Sequence, residues 1–387
     1  MSLNLKKIVS LFENNNFSEA VIELNKYSDE NKNSFIFYFY RGISYFKLNR
    51  FDEAKKDFEK SILINPSFSE VYYNLGILNY TLGENENAID NFLGSLKINN
   101  KFLKAFIGLT NSLSHTKNYY SSESKIVQTH NMLNEINFNY TSNEPINDNN
   151  IKIYLKKINK IIDTTLDNIN FNITQTYRRH KPPLLCDRHK TVFNTYEVIP
   201  KFCFNCYKIQ IDVDNVVDLI KLFLVFDNIN LVNKNTCKCM IETRSNVSSK
   251  YKGLILCSSI KETENIKNML EPILNKNINK FNCKIKRGCT EYGMKYSNYD
   301  DLSTNAMKYK PEWKKYEDLI DEKHPDLTYE KKTRPTIKGL SLYDSLVIRN
   351  WLAYARLVGD KSYENVTEQI FYSKFIENTL KKNNLIN

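Results

Sequence analysis

Residues 35–68 read FIFYFYRGISYFKLNRFDEAKKDFEKSILINPSF, and residues 69–102 read SEVYYNLGILNYTLGENENAIDNFLGSLKINNKF. Laid over one another, these 34-residue stretches place Tyr38 on Tyr72, Gly42 on Gly76, Ala54 on Ala88 and Phe58 on Phe92. Ala20 stands a further 34 residues upstream, and each alanine closes a polar turn: NNNFSEA, LNRFDEA and LGENENA. A fixed period of this length marks stacked supersecondary units, each burying its apolar face against the next. Gly and Ala sit where two antiparallel helices approach closely, and the large residues fill the space beside them. Pro66 stops the second helix of its unit, because it lacks the N–H the helix needs and its ring clashes with the preceding turn.

The pattern resembles the tetratricopeptide repeat family. The resemblance covers the first 115 or so residues, with Ile8 at the glycine position of the first copy and a capping helix begun by LKAFIGLTNSLSH near Leu103. It implies an all-α helical solenoid over residues 1–118, whose first helices line a concave groove for a protein or peptide segment. The matching groove positions in this chain are Ile36, Phe39, Ile43, Phe46, Tyr73, Ile77 and Tyr80. Lys and Asn, with which one subgroup clamps a partner's terminal carboxylate, are absent there, so a different ligand is expected. The same aromatic residues could equally be spent on packing between repeats.

The whole chain has 387 residues, 41% of them hydrophobic, enough for two or three domains with their own cores. Its longest apolar run, Val216 to Phe226, carries Asp218 and Lys221 and falls well short of the roughly 20 apolar residues needed to cross a bilayer. No membrane partner is expected. The opening MSLNLKKIVSLFENNN reads as an amphipathic helix, and a cytoplasmic protein is expected. Net charge is +11; residues 1–120 hold 14 basic and 13 acidic side chains, which leaves an excess of +10 beyond them. That excess opens an alternative reading as a basic nucleic-acid-binding protein.

Residues 119–150, rich in Ser, Asn and Thr, read as a linker, and residues 151–387 as a cysteine-rich α+β domain that starts with an amphipathic helix, Ile151 to about Ile169. In RRHKPPLLCDRHKTVFNTYEVIPKFCFNCYKIQIDV, Cys186 and His189 form a C-x2-H pair, and Cys203 and Cys206 form a C-x2-C pair. Two-residue gaps let both members of a pair face one ion, and four N/S ligands suit a structural, zinc-knuckle-like tetrahedral site. Thiols buried without metal are the plainer alternative, and redox chemistry another.

Beyond the second pair, the pattern predicts a strand at 207–213, a helix at 216–226, strands at 238–244 and 253–257, a helix at 262–274 and a strand at 283–286. This βαββαβ order predicts a ferredoxin-like, four-stranded antiparallel sheet under two helices. Asp214 and Ser258 or Ser259 are expected to cap the helices. Cys237, Cys239, Cys257, Cys283 and Cys289 fall on or beside strands, where core packing is the plain reading. Two C-terminal helices, 343–358 and 363–382, are expected to pack back on the sheet. Arg287, Gly288, Cys289, Glu291 and Tyr292 concentrate at a strand end, the place for a site if the domain is an enzyme.

No phosphate-binding loop, H-E-x-x-H or G-x-S-x-G motif is present. The reading is therefore a protein-interaction adaptor: a groove that grips a protein segment, attached to a zinc-stapled domain. Catalysis near Cys289 is an alternative.

Overall fold

The computed structural model describes residues 5–26, 33–120, 122–138, 144–167, 169–181, 184–303, 306–332 and 335–386. In chain order the first helices are α1 Leu5–Glu13, α2 Phe17–Asn25, α3 Phe35–Lys47, α4 Phe51–Ile64, α5 Ser69–Leu82, α6 Asn85–Ile98 and α7 Leu103–Leu113. After them come α8 Lys125–Asn134, α9 Asp148–Thr165, α10 Cys186–Tyr196, α11 Val216–Asn228, α12 Ile260–Asn277, α13 Lys314–Lys323, α14 Leu342–Leu357 and α15 Lys374–Lys382. The strands are β1 Gln175–Arg178, β2 Tyr207–Val213, β3 Cys237–Ile241, β4 Tyr251–Cys257 and β5 Phe281–Arg287. These elements form two compact units, one of residues 1–112, 182–201 and 309–334, the other of residues 113–181, 202–308 and 335–387.

In the first unit the 34-residue period becomes a stack of helical hairpins. Gly42 on α3 lies against the Phe58 ring of α4, where a Cβ would come within 2.8 Å; Gly76 on α5 lies the same way against Phe92 of α6, at 2.7 Å. Glycine at these two places is what lets each pair of helices close on an aromatic ring. Ala54, Phe58, Val71, Leu75 and Leu78 form the core between the hairpins. Beneath them Ile8, in the place of the glycine, packs with Leu24 and Phe37. Ser34 caps α3 by accepting from the Phe37 N–H, and Gly83, at φ +79°, ends α5 in the left-handed conformation glycine tolerates best. Two segments from far along the chain complete this unit. Arg188 of α10 holds Asp321 of α13 through two hydrogen bonds of 2.6 and 2.8 Å and reaches Glu317 at 3.0 Å. Glu317 also accepts from the Lys201 N–H and the Tyr309 hydroxyl.

In the second unit the expected run is present as β2–α11–β3–β4–α12–β5, with β2 at the expected 207–213. Among the described residues the strands make one antiparallel sheet in the order β1-β3-β4-β2-β5. It has five strands, not four: QTYR, residues 175–178, adds an edge beside β3. Alternation puts Cys237, Cys239 and Ile241 of β3 and Ile209, Ile211 and Val213 of β2 on the buried face. Gly253 of β4 belongs to the same face and lies under Leu222 and Phe226 of α11, leaving no room for a side chain. Burial raises the Cys237 thiol to about 12 and the Cys239 thiol well above its ordinary value, as expected of core cysteines. Asn215, one residue past the expected Asp214, caps α11, and Ser259 caps α12. The second C-terminal helix is shorter than expected: a 3-10 turn, Lys361–Asn365, precedes α15 at Lys374–Lys382. Residues 119–150, read as a linker, include α8. No helix among the described residues is long and apolar enough to cross a membrane.

Candidate protein-interaction surface

The groove positions lie on α3 and α5, and the structure divides them. Phe39 is buried with its ring 4.9 Å from that of Phe68, and Tyr73 stands between Phe92 and Phe102 at 6.0 and 5.2 Å. Both are spent on contacts between successive helices, and burial raises the Tyr73 phenol above its ordinary pKa. Ile36, Ile43 and Tyr80 are half-buried along the same two helices. Phe46 and Ile77 are brought together at one cavity of about 320 Å³.

Sequence reasoning missed what closes that cavity. Its far wall is built by Leu184, Leu185, Leu327 and Tyr329, from the two late segments of the same unit. Residues 325–332 run across the hairpin ends. Lys47 pairs with Asp326 at 3.0 Å, Asn49 donates to the Pro325 carbonyl at 2.5 Å, and the Phe51 and Tyr329 rings meet edge to face at 4.6 Å. The Lys332 N–H then donates to the Thr81 carbonyl at 2.9 Å. The chain thus lays its own extended segment on the stack, leaving a hollow whose lining combines apolar residues with charged Lys47, Asp187, Arg188, Asp326 and Lys331. Nothing in the periodicity of residues 309–334 announces this; in PDLTY, Leu327 and Tyr329 are too few to mark an apolar face.

The four residues expected to bind zinc are distributed over both units. Cys186 opens α10 and His189 lies one turn on, both in the first unit. Burial, reinforced by neighbouring Arg188, lowers His189 to about 4, so the imidazole is neutral at physiological pH. Cys203 and Cys206 belong to the second unit, where they meet a third thiol that the expectation left out, Cys289. The Cys203 thiol hydrogen-bonds with that of Cys289, and this contact, together with burial, pushes it far above the ordinary thiol range. Cys206 packs its sulfur on Gly288, whose Cβ would lie 2.4 Å away. Tyr299 donates to the Cys203 carbonyl at 3.0 Å, and Arg287 donates to the Phe204 carbonyl and, at 2.8 Å, to the Tyr207 hydroxyl. Among the described residues no group of three or more His, Cys, Asp or Glu side chains is placed to hold a metal ion.

Family models of the tetratricopeptide repeat match residues 36–68 and 69–102. These two segments are tetratricopeptide repeats. Part of the chain is also similar to solved structures. The first tetratricopeptide domain of Spaghetti (RPAP3), bound to the HSP90 peptide SRMEEVD, is 21% identical over 28% of this chain and 85% of that one, with a TM-score of 0.27. A MamA structure is 17% identical over 43% and 76%, at 0.28. The C-terminal part of a repeat-containing protein from Cytophaga hutchinsonii is 19% identical over 41% and 60%, also at 0.28. No curated protein matches the chain in sequence. The tetratricopeptide match ends at residue 102, so the sheet and helices of the second unit stand outside it.

Proposed function

We propose that the chain is a protein-interaction adaptor in which the tetratricopeptide stack takes an extended peptide segment of a partner. The observation that carries this reading is the hollow at Phe46 and Ile77, set among two family-matched repeats and roofed by the chain's own Leu184, Leu327 and Tyr329. A volume of about 320 Å³ lies at the lower end of ligand-pocket sizes and suits a bulky apolar side chain with its flanking backbone. Peptides selected from a displayed random library against the full chain are expected to carry such a residue. Ile77→Glu, which replaces an apolar contact by a carboxylate, should weaken them by at least tenfold, because desolvating that carboxylate against an apolar side chain costs more than the ~1.4 kcal/mol that a factor of ten represents. Selected peptides that bind Ile77→Glu and Phe46→Glu as well as the native chain would sink the proposal.

The second unit is read as a ferredoxin-like domain with an added edge strand; the order β3-β4-β2-β5 along a βαββαβ chain supports that reading. A cytoplasmic location is supported by the closely spaced pairs Cys186/His189 and Cys203/Cys206, a pattern read as metal-binding thiols of a reducing compartment. Structural zinc at Cys186, His189, Cys203 and Cys206 stays a proposal, supported by the spacing of the two pairs and by an imidazole that burial keeps in its ligating, neutral form. One zinc per chain in native mass spectrometry, lost on Cys203→Ser, is the expected outcome; protein that purifies without metal and melts unchanged after that substitution would reduce these residues to core thiols.

A further inference from the structure

The helices α11 and α12 pack on one face of the second unit's sheet. The other face is basic. Cross-strand register sets Tyr177, Lys238, Leu254, Gln210 and Lys284 in one row over all five strands. At adjacent-strand spacings of about 4.8 Å that row spans roughly 20 Å. In the next row Leu256, Lys208 and Lys286 stand side by side. On the third, Lys252 is neutralised by Glu242 at 2.8 Å and Asp212 accepts from Gln210.

Two features set these lysines apart from an ordinary solvated face. Lys208 and Lys286 are direct cross-strand partners, an arrangement that repels like charges. Lys208, Lys284 and Lys286 also make no ion pair among the described residues. Lys208, half-buried, gives its ammonium only to the Gly288 carbonyl at 2.9 Å, while Asp300 and Glu291 act on it from beyond ion-pair distance. Between the charges lie half-exposed Leu254 and Leu256 and, at the edge, Tyr177, whose ring carries the Arg179 guanidinium at 3.8 Å. Lysines alternating with apolar and aromatic surface complement an anion that also presents flat apolar groups.

We infer that this face of the sheet binds a single-stranded nucleic acid, its phosphates on Lys238, Lys284, Lys286 and Lys208 and its bases over Leu254, Leu256 and Tyr177. A strand meets a sheet of this width with a handful of nucleotides, and bases released from a duplex are free to lie flat on it. The inference does not depend on the peptide-binding reading of the other unit.

Fluorescence anisotropy of the full chain with a labelled 15-nucleotide oligouridine tests it. Binding should weaken with salt, with a slope of about −2 to −3 in log K against log salt for three or four phosphates neutralised. Lys238→Glu/Lys284→Glu/Lys286→Glu should weaken it at least tenfold, and the milder Lys284→Gln/Lys286→Gln should weaken it severalfold, each with an unaltered melting curve. Lys156→Glu/Lys157→Glu/Lys160→Glu makes the same charge change at exposed positions of α9 and should leave binding within twofold. Equal losses in the two Glu triple variants would mean attraction by net charge alone and overturn the assignment. So would absence of binding in 50 mM salt, or tighter binding to a duplex or to anionic vesicles than to the single strand.

Discussion

Arg178→Ala is expected to destabilise the second unit by about 3–5 kcal/mol, the range for deleting one member of a buried ion pair. Arg178 lies on β1 with its guanidinium wholly enclosed, over the Phe223 ring at 4.2 Å. It donates to Asp227 at the end of α11, to both carboxylate oxygens of Asp344 at 3.3 Å, and to the Gly339 carbonyl at 2.6 Å. Burial works against its charge, and Asp344 and Asp227 more than restore it, so its pKa stands above the ordinary arginine value. Asp344 in turn forms the capping box of α14 with Ser341. One side chain therefore ties the edge strand, α11 and the start of α14 together. Without it the Asp227 and Asp344 carboxylates lose the guanidinium that both accept from. Urea titrations of Arg178→Ala and the native chain at pH 7 measure the deficit. A deficit under 1 kcal/mol would mean the network carries no such energy.

Phe92→Ala should cost a similar amount, about 3–5 kcal/mol, in the first unit, as large-to-small substitutions at fully enclosed aromatic sites do. The ring is the meeting point of three successive helices: a Cβ on Gly76 of α5 or on Gly108 of α7 would come within 2.7 Å of it, and Tyr73 lies 6.0 Å away. With glycine on two sides, no neighbouring side chain can expand into the void, so the cavity stays. In a stack held by nearest-neighbour contacts the loss is local. Amide exchange should therefore accelerate from Ser69 to Leu113 more than in α3 and α4. Uniform acceleration across α1 to α7, or none, would contradict the assignment of Phe92 as the junction.

How far the sequence foretold this architecture depends on what each residue had to do. Gly42, Gly76, Ala54 and Ala88 stand out because close helix contacts admit almost nothing else, and β2 and α11 stand out because their buried faces are apolar. The edge strand β1 was invisible for the opposite reason: its inward residues are Thr176 and Arg178, polar groups that become buried only by partnership with Asp344 and Asp227. Among the groove positions, pattern could not separate Phe39 and Tyr73, used between repeats, from Phe46 and Ile77, which open to a cavity; the difference lies in which neighbours arrive, and those come from residues 184–188 and 325–332. Cys289 joined Cys203 for a similar reason. The two are 86 positions apart, and only the register of β5 against β2 brings the loop after Gly288 beside the turn before Tyr207.

The polypeptide passes from one unit to the other five times, at residues 112, 181, 201, 308 and 334. No single cut frees either unit whole. Synthesis has a direction, and the hairpins α1 to α6 are made before residues 113–308. At 5–20 residues per second that interval is roughly 10–40 s. Throughout it Phe46, Phe51 and Ile77 lack the Leu327 and Tyr329 that later cover them, so the nascent repeats display an oily edge to every chaperone in reach until the last third of the chain is translated.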